Sequence, residues 1–73
     1  MDGWLMASNG RNVLRFHRDR TARYEALIFI DFGEPIPGQP ALLKRRERLP
    51  RKHAVEQWKK LLKGGWCRVE PQW

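Results

Sequence analysis

Ten residues between Ala41 and Trp66 are Lys, Arg or His: Lys44, Arg45, Arg46, Arg48, Arg51, Lys52, His53, Lys59, Lys60 and Lys63. Groups of this kind capture anions, phosphate above all, because an ammonium is a compact point charge and a guanidinium is a planar fork that meets two oxygens at once. Lys44, Arg46 and Arg48 would project from one side of a strand, and Lys52, Lys59, Lys60 and Lys63 from the outer face of the helix that follows. With Arg51 and Arg68 beside them, these side chains would track a phosphate backbone. Neutralising about five or six phosphates would make log K fall with log salt at a slope near −5. Lysines on the outside of a helix are also ordinary solvent cover, and it is the density of Arg between Arg45 and Arg51 that favours anion binding.

Other chemistry finds little support. Ser8 is the only serine, Cys67 has no His near it in sequence, and no set of nucleophile, base and orienting group is present. Asp31 and Glu34 straddle a strand end and a Gly-Pro turn, where solvated surface is the expected role. His17, His53 and Cys67 do not share a metal-ligand spacing. Gly64-Gly65 follows a helix instead of preceding one, so it caps that helix and does not cradle a phosphate. We therefore expect a non-enzyme with no metal and no cofactor. Cys67 reads as a small buried filler.

The 73 residues leave room for one domain, and a chain of this size buries only about 60% of the surface its unfolded form exposes. A single cysteine closes no intramolecular bridge, which points to a reducing compartment. No apolar run nears the ~20 residues of a membrane span and no leader pattern opens the chain, so a cytoplasmic location is expected. Four Trp, three Phe and one Tyr supply large buried areas in place of staples. The charge is lopsided: residues 1–40 balance, while ten Lys and Arg face two Glu from Ala41 to Arg68. Such asymmetry concentrates the field on one part of the fold.

The elements that must carry these groups follow from period and punctuation. Asn9-Gly10 predicts a type I′ hairpin turn between Trp4–Ala7 and Asn12–His17, with Leu14 and Phe16 on the core face. "YEALIFIDF" predicts a central strand whose one side carries Tyr24, Ala26, Ile28, Ile30 and Phe32, and whose other carries Glu25, Leu27, Phe29 and Asp31. "GEPIPGQP" predicts a stiff loop that no ladder crosses. "ALLKRRERL" is ambiguous between a strand and a poorly amphipathic helix; an edge strand is favoured because charged side chains keep sheet edges from pairing with strangers. It would set Leu43 and Leu49 on one side with Arg45 and Glu47 between them.

Residues 51–63 give the clearest helix. Ala54, Val55, Trp58, Leu61 and Leu62 form a stripe about 120° wide, opposite Lys52, Lys59, Lys60 and Lys63. Pro50 suits the first helical position, no polar N-cap precedes it, and Gly64-Gly65 should end the helix in a Schellman motif that folds Trp66 onto Leu61. "WCRVE" would be a short last strand. Trp58 belongs to the core, which leaves Trp73 as the one tryptophan free to stack a base.

"VLRFHRD", "IFIDFGEPIPG", "PALLKRRERL", "AVEQWKKLLKGGW" and the ending "RVEPQW" resemble a family of short proteins of unknown function from marine cyanobacteria and their phages, which carries a Gly-Trp…Arg-Val-Glu-Pro-Gln-Trp ending. The resemblance covers nearly the whole chain and implies its size, cytoplasmic location and fold, but transfers no site residue. The expectation is thus one small α+β domain: a twisted, mostly antiparallel sheet of three to five short strands with one amphipathic helix, about 51–63, on one face. Its expected role is a binding module for nucleic acid. The alternative is a regulatory module that docks an acidic protein or pairs into a homodimer through Leu27 and Phe29.

Overall fold

A computed structural model describes residues 1–73. Five strands and one helix run in the order β1 (Gly3–Met6), β2 (Val13–Arg18), β3 (Leu27–Ile36), β4 (Gln39–Pro50), α1 (Arg51–Lys63) and β5 (Cys67–Arg68). The strands form one antiparallel sheet in the order β4-β3-β2-β1-β5, so β4 is an edge. The expected α+β architecture holds.

Side chains alternate across this sheet, and the register turns that alternation into rows. Gly3, Phe16, Ile30 and Glu47 make one row, and Arg68, Leu5, Leu14, Phe32 and Arg45 the next. These rows face the helix. Leu5, Leu14, Phe16, Ile28, Ile30 and Ala54 form the buried core, flanked by Leu49, Trp58, Leu61, Leu62 and Trp66. Each large apolar side chain taken fully from water contributes roughly 1.5–3 kcal/mol. Ala54 is the one helix residue fully buried, so its small side chain sets the closest approach of α1 to the sheet, and Trp58 meets Phe16 edge-on with ring centroids 5.1 Å apart.

The helix ends as its sequence predicts and begins differently. Gly65 has φ 96°, Trp66 N–H donates to Leu61 O at 3.0 Å, and Gly65 N–H donates to Leu62 O at 3.3 Å, the paired bonds of a Schellman motif. Pro50 is the N-cap residue and not the first helical one, with φ −54° and ψ 144°. No side chain caps the first turn; instead Ala26 O accepts from Arg51 N–H at 2.9 Å, a tertiary substitute for the missing cap.

Four local expectations are corrected. Only Gly10 has a positive φ in the first hairpin, so its turn is not type I′: Gly10 N–H donates to Ala7 O at 2.9 Å, and Asn9 Oδ1 accepts from Arg11 N–H instead of letting Asn9 turn left-handed. The central strand starts at Leu27, leaving Tyr24 98% exposed, because Asp19 folds the connection back by accepting from both the backbone and the hydroxyl of Thr21. The ladder does run through the proline-rich stretch, with Pro37 and Gly38 at the turn between β3 and β4. Pro35 and Pro40 lie in the unpaired irregularity between the Glu34–Leu42 and Ile36–Gln39 pairs, where a missing N–H costs nothing. Finally, Phe32 pairs with Arg45 but Gly33 with Leu43, so Lys44 is a bulge and the alternation of β4 slips there, parting Leu43 from Leu49.

The C-terminal tail packs on the far face of the sheet at its Trp4 and Gly33 end. Val69 N–H donates to Trp4 O at 3.0 Å, Gln72 O accepts from Ala41 N–H at 3.2 Å, and Trp73 meets Trp4 edge-on at 4.4 Å. A Cβ on Gly33 would lie 2.6 Å from Trp73 Cζ3, so only glycine lets the ring settle over the strand, where it also covers Val13, fully buried. Trp73 is therefore a packing residue and not the free stacking platform its terminal position suggested.

Candidate functional site

The three cations expected from β4 do not form one row. Arg46 and Arg48 lie on the face of the sheet away from the helix, in the rows Trp4, Arg15, Asp31, Arg46 and His17, Phe29, Arg48. Lys44, displaced by the bulge, lines a groove with Arg45 on the helix side. Each of the three holds a carboxylate from the first forty residues. Lys44 reaches Glu34 at 2.9 Å, Arg48 reaches Asp19 at 3.2 Å, and Arg46 grips Asp31 with Nε at 2.5 Å and a second nitrogen at 3.1 Å.

Asp31 is the centre of this charged cluster. It is 2% exposed, in a row between Arg15 and Arg46, and the imidazole Nε2 of His17 lies 2.7 Å from Oδ2, the oxygen that also accepts from the second nitrogen of Arg46. Burial alone would push this carboxyl up, but hydrogen bonds and charge from Arg46 and His17 outweigh it and hold the group below the ordinary carboxylate range. The same pairing raises Arg46 further. Asp19 is likewise held low, first by the hydroxyl and backbone of Thr21 and then by Arg48. Arg46 also stacks over Phe29 at 4.4 Å, so the apolar pair Leu27 and Phe29, which the alternative reading would use to join two copies, has a guanidinium lying on it.

The helix presents the opposite picture. Arg51, Lys52, Lys59, Lys60 and Lys63 are exposed, and none makes an ion pair with any carboxylate, Glu56 included. Lys52, Lys59 and Lys63 lie along one outer stripe, separated by about 10 and 6 Å along the axis. Lys59, Lys60 and Lys63 share a shallow hollow with His53, Glu56 and Gln57 that contains no apolar residue. Arg68 stands apart at the other flank of the helix, its guanidinium 5.6 Å from the Trp58 ring. The expected surface thus divides into a free helical group, a neutralised strand group and an isolated Arg68.

The groove on the helix side was not legible in sequence. It measures about 620 Å³ and is floored by Leu14, Phe32, Leu61 and Trp66, with Arg11, Lys44 and Arg45 at its rim. Arg45 lies 4.1 Å over the Phe32 ring and makes a longer contact with Glu47 at 3.4 Å. Only the register slip at Lys44 brings both cations to this face. Arg11 follows the first turn, remote in sequence from the basic stretch, and carried no signal there.

Cys67 is exposed, not the buried filler its neighbours suggested, because β5 is only two residues long and sits at the outer edge beside β1. No three His, Cys, Asp or Glu stand close enough together to hold a metal ion. No helix is long and apolar enough to cross a membrane.

Neither the curated proteins nor the solved structures contain a match to this chain. A family model does: residues 2–73 match the one described as protein of unknown function (DUF1651). The chain belongs to that family, which covers nearly its whole length.

Proposed function

We propose that this chain is a non-enzymatic nucleic-acid-binding module whose contact surface is the outer face of α1. One observation carries the reading: the helix cations are exposed and without ion-pair partners, whereas Lys44, Arg46 and Arg48 of β4 are each bound to a carboxylate. A polyanion gains most from cations that give up no existing partner, since each released counterion then counts in full. The contacts would be to phosphates, and so would carry little sequence preference. In keeping with the resemblance to cyanobacterial and phage proteins, we place it in the cytoplasm of such a cell.

The strand cations, being occupied, leave the surface smaller than the nine residues first expected. Four lysines contacting a single strand correspond to a log–log salt slope of about −3. The test is fluorescence anisotropy of a labelled oligonucleotide across a salt series. Binding that weakens with that slope, and flattens when Lys52, Lys59, Lys60 and Lys63 become Gln, supports the reading. No binding even at low salt removes it.

A further inference from the structure

Building on that reading, we infer that the groove beside the helix receives an unpaired base, so that the ligand is a single strand and not a duplex. Phe32 and Trp66 supply an aromatic floor, and Arg11 and Arg45 stand at the rim beside Lys44, which is paired with the one lining carboxylate, Glu34, at 2.9 Å in an exposed contact that a phosphate can replace. A site with aromatic faces below and cations above matches a base with its phosphates; an acidic peptide would use only the rim, and an apolar segment only the floor. Its volume, about 620 Å³, falls in the range of small-molecule sites.

Two details favour a base. The Arg45 guanidinium already lies over Phe32 at 4.1 Å, a ready cationic shelf on which a second planar group can stack, and its 3.4 Å contact to Glu47 is an exposed one that a phosphate can replace. Gln57 lines both this groove and the lysine hollow on the outer helix face, so a strand whose phosphates run along α1 passes the groove mouth without leaving the protein. A duplex keeps its bases stacked inside, and its phosphates would meet the helix alone.

The experiment compares three ligands of equal charge on the full chain: single-stranded oligothymidylate, an abasic sugar-phosphate chain of the same length, and a duplex. Wild type should bind the thymidylate about tenfold more tightly than either of the others. Arg45→Gln, at a largely exposed position, should erase that gap, and Phe32→Leu, which keeps an apolar side chain in place, should erase it too. Changing the four helix lysines to Gln should weaken all three ligands alike. Equal affinities in wild type, a preference for duplex, or a gap that survives both groove variants would overturn the base site while leaving phosphate binding in place. Failure of all three ligands at low salt would overturn both.

Discussion

Strand β4 and helix α1 are consecutive in the chain, rich in the same residue types, and employ them in opposite ways. In β4, Lys44, Arg46 and Arg48 are each paired with a carboxylate supplied by β3 or the β2–β3 connection: Glu34, Asp31 and Asp19. In α1 they face water with no partner. The difference arises because β3 and its preceding connection run beside β4 with acids at matching register, while the outer face of α1 has no neighbouring element. A positive charge on a sheet whose neighbour carries a buried carboxylate is a structural group; the same charge on an uncovered helix face is available to a ligand.

Arg46→Ala should give the largest effect on stability, because it strips a nearly buried carboxylate of its two-pronged partner and leaves only His17. Since Arg46 itself is half exposed, the expected loss is about 2–4 kcal/mol, read from urea unfolding. Trp73→Ala comes next: it uncovers Val13 and the Gly33 backbone, and the half-buried ring should cost about 2 kcal/mol. If that variant unfolds no earlier than wild type, the tail is decoration and the far face is not a second packed layer.

Acid should act through the strand group only. Asp31 and Asp19 have folded pKa values below the unfolded value of about 3.9, so their stabilisation is complete above that pH and is lost as pH falls through the folded values. Unfolding midpoints should therefore drop below about pH 4 in wild type, and drop less in Asp31→Asn, which has no proton to take up there. Arg48→Gln should shift the midpoint less than Arg46→Ala, having a single contact to lose. Lys44→Gln breaks only an exposed pair and should change stability by about 0.5 kcal/mol or less. Together the four helix lysines should matter to stability by no more than about 1 kcal/mol.

Much of this fold can be read from pattern. The alternation of Leu14 with Phe16 and of Ile28 with Ile30, the stripe from Ala54 to Leu62 and the Gly64-Gly65 stop all depend on local period or local backbone freedom, and each appears as expected. What escaped depends on pairings between distant residues. Whether Pro35 and Pro40 end a ladder or sit in its irregularity is decided by the opposing strand. The slip at Lys44 brings that lysine to the groove beside Arg45 and turns Leu43 away from Leu49, and no feature of "LLKRRER" marks where it falls. Asp31 looked solvated in sequence because its partners, His17 and Arg46, are fourteen and fifteen residues away. The site was legible only as a count of charges; which of them were free required the register.

The most direct measurement is the salt dependence of oligonucleotide affinity in three proteins: wild type, the variant with Lys52, Lys59, Lys60 and Lys63 changed to Gln, and Arg48→Gln. Wild type and Arg48→Gln should share a slope of about −3 or steeper, and the lysine variant should be shallower by roughly 3. A slope about 0.7 shallower in Arg48→Gln together with an unchanged one in the lysine variant would put the polyanion on the strand and contradict the division of labour between β4 and α1.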